Sequence, residues 1–113
     1  MKATLTTLRD IEVARDALPS VVRRTPVLPL APKPCDTGRE KLFLKAECLQ
    51  VTGAYKVRAA FNVIRSLGEL ERKQGIVLAS SGNFAQAFAF AGAQVGVSVV
   101  VVMLDQTLSL IHI

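Results

Sequence analysis

The sequence predicts an α/β fold, an open parallel sheet with flanking helices. Three observations carry that prediction. Segments 41–47, 76–79 and 97–103 each have the length and apolar centre of a strand. The segments between them repeat apolar residues at helical spacing. The last strand segment is a β-branched run without a charge, as expected of a strand buried on both faces of a parallel sheet. The order strand, helix, strand, helix, strand implies right-handed crossovers.

The elements follow in chain order. Thr6 or Thr7 can cap a first helix, whose apolar residues Leu8, Ile11, Val13, Ala14 and Leu18 form an approximate stripe before Pro19 stops it. This helix is expected to be peripheral. Prolines 26, 29, 32 and 34 then bias the chain towards extended conformations, so 21–34 reads as a connector crossing a surface. Asp36-Thr37-Gly38 is a turn signal ahead of strand 41–47. Gly53 permits a tight bend, and the next helix places Val57, Ala60, Phe61, Ile64 and Leu67 on one face and Arg58, Asn62, Arg65 and Glu69 on the other. Lys56 falls in its first turn. After Gly68 and Gly75, Ile76-Val77-Leu78-Ala79 is a short strand. Ser80 or Ser81 can cap a helix running to about Gln94, apolar almost all round and rich in alanine, as suits close packing on a sheet.

Composition excludes several classes. Half of the 113 residues are apolar, enough for one buried core. The formal net charge is +5, but the 14 Lys and Arg are interspersed with 9 Asp and Glu and form no run with aromatic residues between them. That pattern is a solvated surface and not a nucleic-acid stripe. Cys35 and Cys48 have neither CxxC nor Cys/His spacing, so no metal site and no disulfide framework is expected. The amino terminus lacks the apolar core of a secretory signal, and with reduced thiols this points to a cytoplasmic protein. The charge-poor stretch 84–104 is long enough to raise a transmembrane reading. Gln86, Gln94, the Gly92–Gly96 spacing and the switch to β-branched residues favour a buried helix and strand instead.

Two turns carry the chemistry. In Thr52-Gly53-Ala54-Tyr55-Lys56-Val57-Arg58 a lysine stands where loop becomes helix. A lysine amine can form a Schiff base with a carbonyl compound, and the same position also suits an ordinary surface lysine. Tyr55 reads equally as a ring covering a flat ligand or as a core aromatic. Ser80-Ser81-Gly82-Asn83-Phe84-Ala85-Gln86 follows a strand and opens a helix. Small side chains there let an anion approach free backbone N–H groups, and the same composition also serves as a simple helix cap. Neither a dinucleotide nor a P-loop pattern occurs.

In order and spacing, three stretches resemble the pyridoxal-phosphate enzymes of the tryptophan synthase β fold. They are Arg24-Thr25-Pro26, the run from Leu44 through Lys56-Val57-Arg58 to Ala60, and Ser80 to Gln86. The threonine/serine dehydratase branch is the most similar, with serine racemase a near relative. The resemblance implies that Lys56 carries pyridoxal phosphate and moves the substrate's Cα proton. It further implies that Asn83 hydrogen-bonds the cofactor's phenolic oxygen and that Tyr55 stacks on the pyridine ring. Ser81 would face the other side of the substrate, and Ser80, Ser81, Gly82, Asn83 and Phe84 would hold its carboxylate. Ala54, Ala59 and Phe84 replace the Ser, Gly and His usual in the family.

The family's glycine-rich phosphate loop lies beyond the carboxyl end of this sequence. The resemblance therefore implies an incomplete fragment, residues 1–107 being the N-terminal part of an enzyme domain and inactive alone. Residues 108–113 follow no period and look like a translated transposase adapter, so they are expected to be a non-native read-through tail that also removes His112 from consideration. For the intact protein the implied reaction is deamination of threonine or serine by β-elimination, in a homo-oligomer acting on a small amino acid. A racemase using Lys56 and Ser81, a cysteine-synthase-like β-replacement enzyme and a non-catalytic amino-acid-binding module are the alternatives.

Overall fold

The computed structural model describes residues 5–30 and 42–105. Helix α1 (Leu8–Asp16) begins at Thr7, whose hydroxyl accepts from the Asp10 N–H at 3.2 Å while the Asp10 carboxylate accepts from the Thr7 N–H at 2.8 Å. Two orphan N–H groups are thus satisfied reciprocally. The helix buries no residue, as its peripheral placement requires.

Strands β1 (Val27–Leu30) and β2 (Leu42–Lys45) pair antiparallel, with Val27 opposite Lys45 and Leu30 opposite Leu42. This corrects two expectations. The proline-rich connector contains a strand, because a two-stranded ribbon has only edges and an edge tolerates Pro29. The strand expected at 41–47 joins this ribbon and not the parallel sheet. Its Leu-Phe-Leu centre specifies an extended apolar segment but says nothing about which backbone supplies the partner. Residues 31–41, with Cys35 and the 36–38 turn, lie outside the described residues, as does the expected boundary at 107/108.

A 3-10 turn at Glu47–Leu49 leads to α2 (Lys56–Ser66). Helix α3 (Glu69–Gln74) follows, then β3 (Ile76–Ala79), α4 (Asn83–Val95) and β4 (Val99–Val102). α3 has no apolar stripe to betray it. It buries nothing, and its support is local: Glu71 accepts from the Gly68 N–H at 2.6 Å, and Lys73 reaches Glu69 at 3.2 Å. β3 and β4 pair in parallel, Ile76 opposite Val99, and α4 is the crossover between them.

The core lies between α2, α4 and this parallel pair. Val57, Ala60, Phe61 and Ile64 from α2 meet Ala87, Phe88 and Ala91 from α4, with Val97 beneath. The Phe61 and Phe90 rings meet edge to face at 6.4 Å. Alanines at the helix contact keep the axes close, and Gly92 carries the approach further: an added Cβ would lie 2.5 Å from Val99 and 2.7 Å from the Val97 carbonyl. Each buried large aliphatic side chain contributes about 1.5–3 kcal/mol. The opposite face of the parallel pair, with Val77, Val100 and Val102, is exposed.

α4 starts at Asn83 with Gly82 as its cap, so neither Ser80 nor Ser81 caps it through its side chain. Ser80 is instead held by its own N–H on the Val102 carbonyl at 3.1 Å, which continues the β3–β4 ladder by one residue. Among the described residues no helix is long and apolar enough to cross a membrane.

Candidate active site

The lysine turn is built by backbone geometry. Gly53 adopts φ +68°, in the left-handed region that favours glycine, and its N–H closes a tight turn on the Gln50 carbonyl at 2.8 Å. The Thr52 hydroxyl donates to the Ala54 carbonyl at 3.3 Å. Tyr55 is the helix cap, and Lys56 is the first residue of α2. Lys56 is half-buried, while Tyr55 is 55% exposed and free to cover a ligand.

The second turn stands at the carboxyl end of β3. Gly82 is extended, and an added Cβ would meet nothing within 4 Å, so its surroundings are open. Ser81 and Asn83 are exposed, Ser80 and Gly82 half-buried. The first N–H groups of α4 have no partner within the helix, which makes its end receptive to an anion. Phe84 packs edge-on against Phe88 at 4.7 Å.

The two turns meet. The Lys56 amine lies 4.8 Å from the centroid of the Tyr55 ring and 5.5 Å from that of Phe84. Both distances are within reach of a cation–π attraction. Phe84 therefore joins the lysine to the start of α4, while Ser81 and Asn83 share the turn without touching Lys56 closely enough to pair with it.

A second group of polar residues was not assigned a role from sequence. Glu47 accepts two hydrogen bonds from the Arg58 guanidinium, Nε to Oε2 at 3.0 Å and Nη2 to Oε1 at 2.8 Å. It also accepts the Thr25 hydroxyl. Lys45 donates to the Thr25 carbonyl at 2.5 Å. Gln50, 3% exposed, grips Arg23 through both its main-chain groups, and Arg58 donates to the same Arg23 carbonyl at 3.0 Å. The hydrogen bonds from Arg58 hold the Glu47 carboxyl below the usual range, partial burial opposes this, and the Thr25 hydroxyl and the Lys45 charge add to it. The only signal in the sequence is an acid and an arginine flanking the lysine loop, which is too common to single out.

A cleft of about 500 Å³ behind this network is lined by Arg15, Arg23, Arg24, Lys45 and Arg58, among others. No expected site residue lines it.

A family model described as pyridoxal-phosphate dependent enzyme matches residues 18–109. The chain is 44% identical over 97 residues to an L-threonine ammonia-lyase of Thermotoga maritima, covering 86% of this chain and 24% of that protein. It is 35% identical over 101 residues to the catabolic L-threonine dehydratase TdcB of Staphylococcus aureus, covering 89% and 29%. Among solved structures, maize serine racemase superposes with a TM-score of 0.74 at 36% identity, covering 85% of this chain and 30% of that one. A pyridoxal 5'-phosphate-dependent aspartate racemase gives 0.76 at 35% identity, covering 95% and 34%. The chain thus spans about a quarter to a third of the length of these relatives.

Fold and relatives together define the class, an α/β enzyme that works with a carbonyl cofactor. The chain belongs to the pyridoxal-phosphate-dependent enzyme family. Its residues fit that cofactor at the aldehyde end: a primary amine flanked by two aromatic rings, an exposed amide at Asn83, and open space at Gly82.

Proposed function

We propose that the complete protein deaminates threonine or serine by β-elimination, giving a 2-oxo acid and ammonia. The observation that carries this reading is the meeting of the Lys56 amine with the start of α4 at Phe84, which brings a primary amine beside an anion-receptive turn. The relatives named threonine ammonia-lyase and dehydratase support the choice of reaction. Pyridoxal phosphate, which Lys56 would hold until the substrate amine takes its place, would supply the electron sink for the bond broken at Cα. In this reading the Lys56 Nζ removes the Cα proton, and Tyr55 lies against the cofactor ring. The Asn83 amide donates to the phenolic oxygen. N–H groups of residues 80–84 hold the substrate carboxylate, with Ser81 on the side opposite Lys56. Residues 1–107 are the N-terminal part of the domain and inactive alone, and the whole protein is a cytoplasmic homo-oligomer.

The racemase neighbours favour one second reading, in which Lys56 and Ser81 exchange the Cα proton from opposite faces. Incubating the complete gene product with L-threonine and with L-serine separates the two. Ammonia and a 2-oxo acid in equal amounts are expected, both lost in Lys56→Ala. Accumulation of the opposite enantiomer without ammonia would move the assignment to the racemase.

A further inference from the structure

We infer that Glu47 is a positioning residue for Lys56, acting through Arg58; the inference rests on the proposed role of Lys56. Arg58 is the third residue of α2 and Lys56 the first. At 3.6 residues per turn, side chains two positions apart leave the helix about 200° apart around its axis. The first turn of α2 is therefore held from one side by the Glu47–Arg58 pair while the lysine projects from the other. Arg58 engages Glu47 through both Nε and Nη2, and a two-point contact between planar groups fixes rotation as well as distance. Rotation of this turn is the motion that would swing the Lys56 amine along the Phe84 ring.

The anchor behind Glu47 is itself fixed. Thr25, 4% exposed, donates its hydroxyl to the carboxylate, and its carbonyl is held by Lys45. At the Glu47 end of the loop between the two partners Gln50 grips Arg23, and at the other end Arg58 reaches that same residue. Both ends of the loop bearing Gly53 and Tyr55 are thus referred to one piece of backbone. A lysine at position 58 would keep the charge but give one contact point in place of two, and so would fix distance without fixing rotation. A displacement of about 1 Å at a reacting atom can cost on the order of 10²-fold in rate.

The test measures covalent capture of pyridoxal phosphate by Lys56 in the complete gene product freed of cofactor. Capture is quenched with borohydride at set times, and the modified peptide is quantified by mass spectrometry, with exposed Lys73 as internal reference. Wild-type protein is expected to capture at Lys56 far faster than at Lys73. Equal rates would overturn the proposed role of Lys56, and this inference with it. Given the wild-type preference, Glu47→Gln and Arg58→Lys are expected to slow Lys56 capture about 10- to 100-fold while Lys73 and the circular dichroism stay unchanged. Lys56 rates within twofold of wild type would overturn the positioning role and leave the function standing. Should Glu47→Gln fail to fold, Arg58→Lys decides alone, since it keeps a cation beside the carboxylate.

Discussion

The amine of Lys56 and the ring of Phe84 lie 5.5 Å apart, although they open two different helices separated by α3 and β3. A cation over an aromatic face is worth about 0.5–1 kcal/mol at an exposed site. A double-mutant cycle with Lys56→Met and Phe84→Leu, read by urea unfolding without cofactor, is expected to show a coupling of about that size. Strict additivity would mean that the contact contributes nothing.

Gly92 sets the distance between α4 and β4. The Val97 carbonyl that an added methyl would strike cannot retreat easily, because the Val97 N–H is itself bonded to the Gly92 carbonyl at 3.0 Å. Gly92→Ala is expected to destabilise the protein by about 1–3 kcal/mol. Gln94→Ala, on the exposed side of the same helix, is expected to stay within about 0.5 kcal/mol of wild type. Thermal or urea unfolding of the two variants side by side checks both.

Glu47 makes stability depend on acid. Its carboxyl is depressed in the folded protein, first by the hydrogen bonds from Arg58, so the folded state binds the proton less well than the unfolded chain. Its contribution is fully present above the ordinary carboxyl range, about 4.3, and fades as pH falls through that range towards the depressed value. Glu47→Gln is expected to lower the melting temperature at neutral pH and to flatten its decline below about pH 4.5. Parallel melting curves for both proteins from pH 7 to pH 3 would contradict this.

Helix α1 buries nothing and so depends on its cap. Thr7→Ala removes the acceptor for the Asp10 N–H and is expected to cost about 1 kcal/mol of local helix stability. Faster amide exchange confined to residues 8–16 is the expected readout.

Much of this arrangement is legible in the amino-acid string, for identifiable reasons. α2 and α4 are long and bury a continuous stripe, so Val57, Ala60, Phe61 and Ile64 announce themselves by spacing, and the glycine bend before Lys56 fixes where α2 begins. Residues 42–45 are legible as a strand, but their partner is not, because pairing with 27–30 is decided by backbone hydrogen bonds that any extended segment can offer. α3 escapes notice because five polar residues and one exposed leucine, held by local charges, carry no burial pattern. The serines before α4 look like caps, yet Gly82 takes that position and Ser80 is spent on the sheet. The Glu47 network is the least legible part, since Thr25 and Arg23 lie 22 and 27 residues from their partners.

Arg23 enters that network chiefly through its main chain: its N–H donates to Gln50, and its carbonyl accepts from both Gln50 and Arg58. Any residue except proline offers the same two groups. Substitution at position 23 should therefore cost only the guanidinium's bond to the Leu49 carbonyl, whereas losing or gaining one residue between Pro19 and Thr25 would present a different carbonyl to Arg58 and shift the Thr25 hydroxyl off Glu47. At position 23 the constraint falls on the length of the segment more than on the letter, whereas at Thr25 the hydroxyl itself is required, so insertions and deletions before Thr25 would reach Lys56 as surely as loss of that hydroxyl.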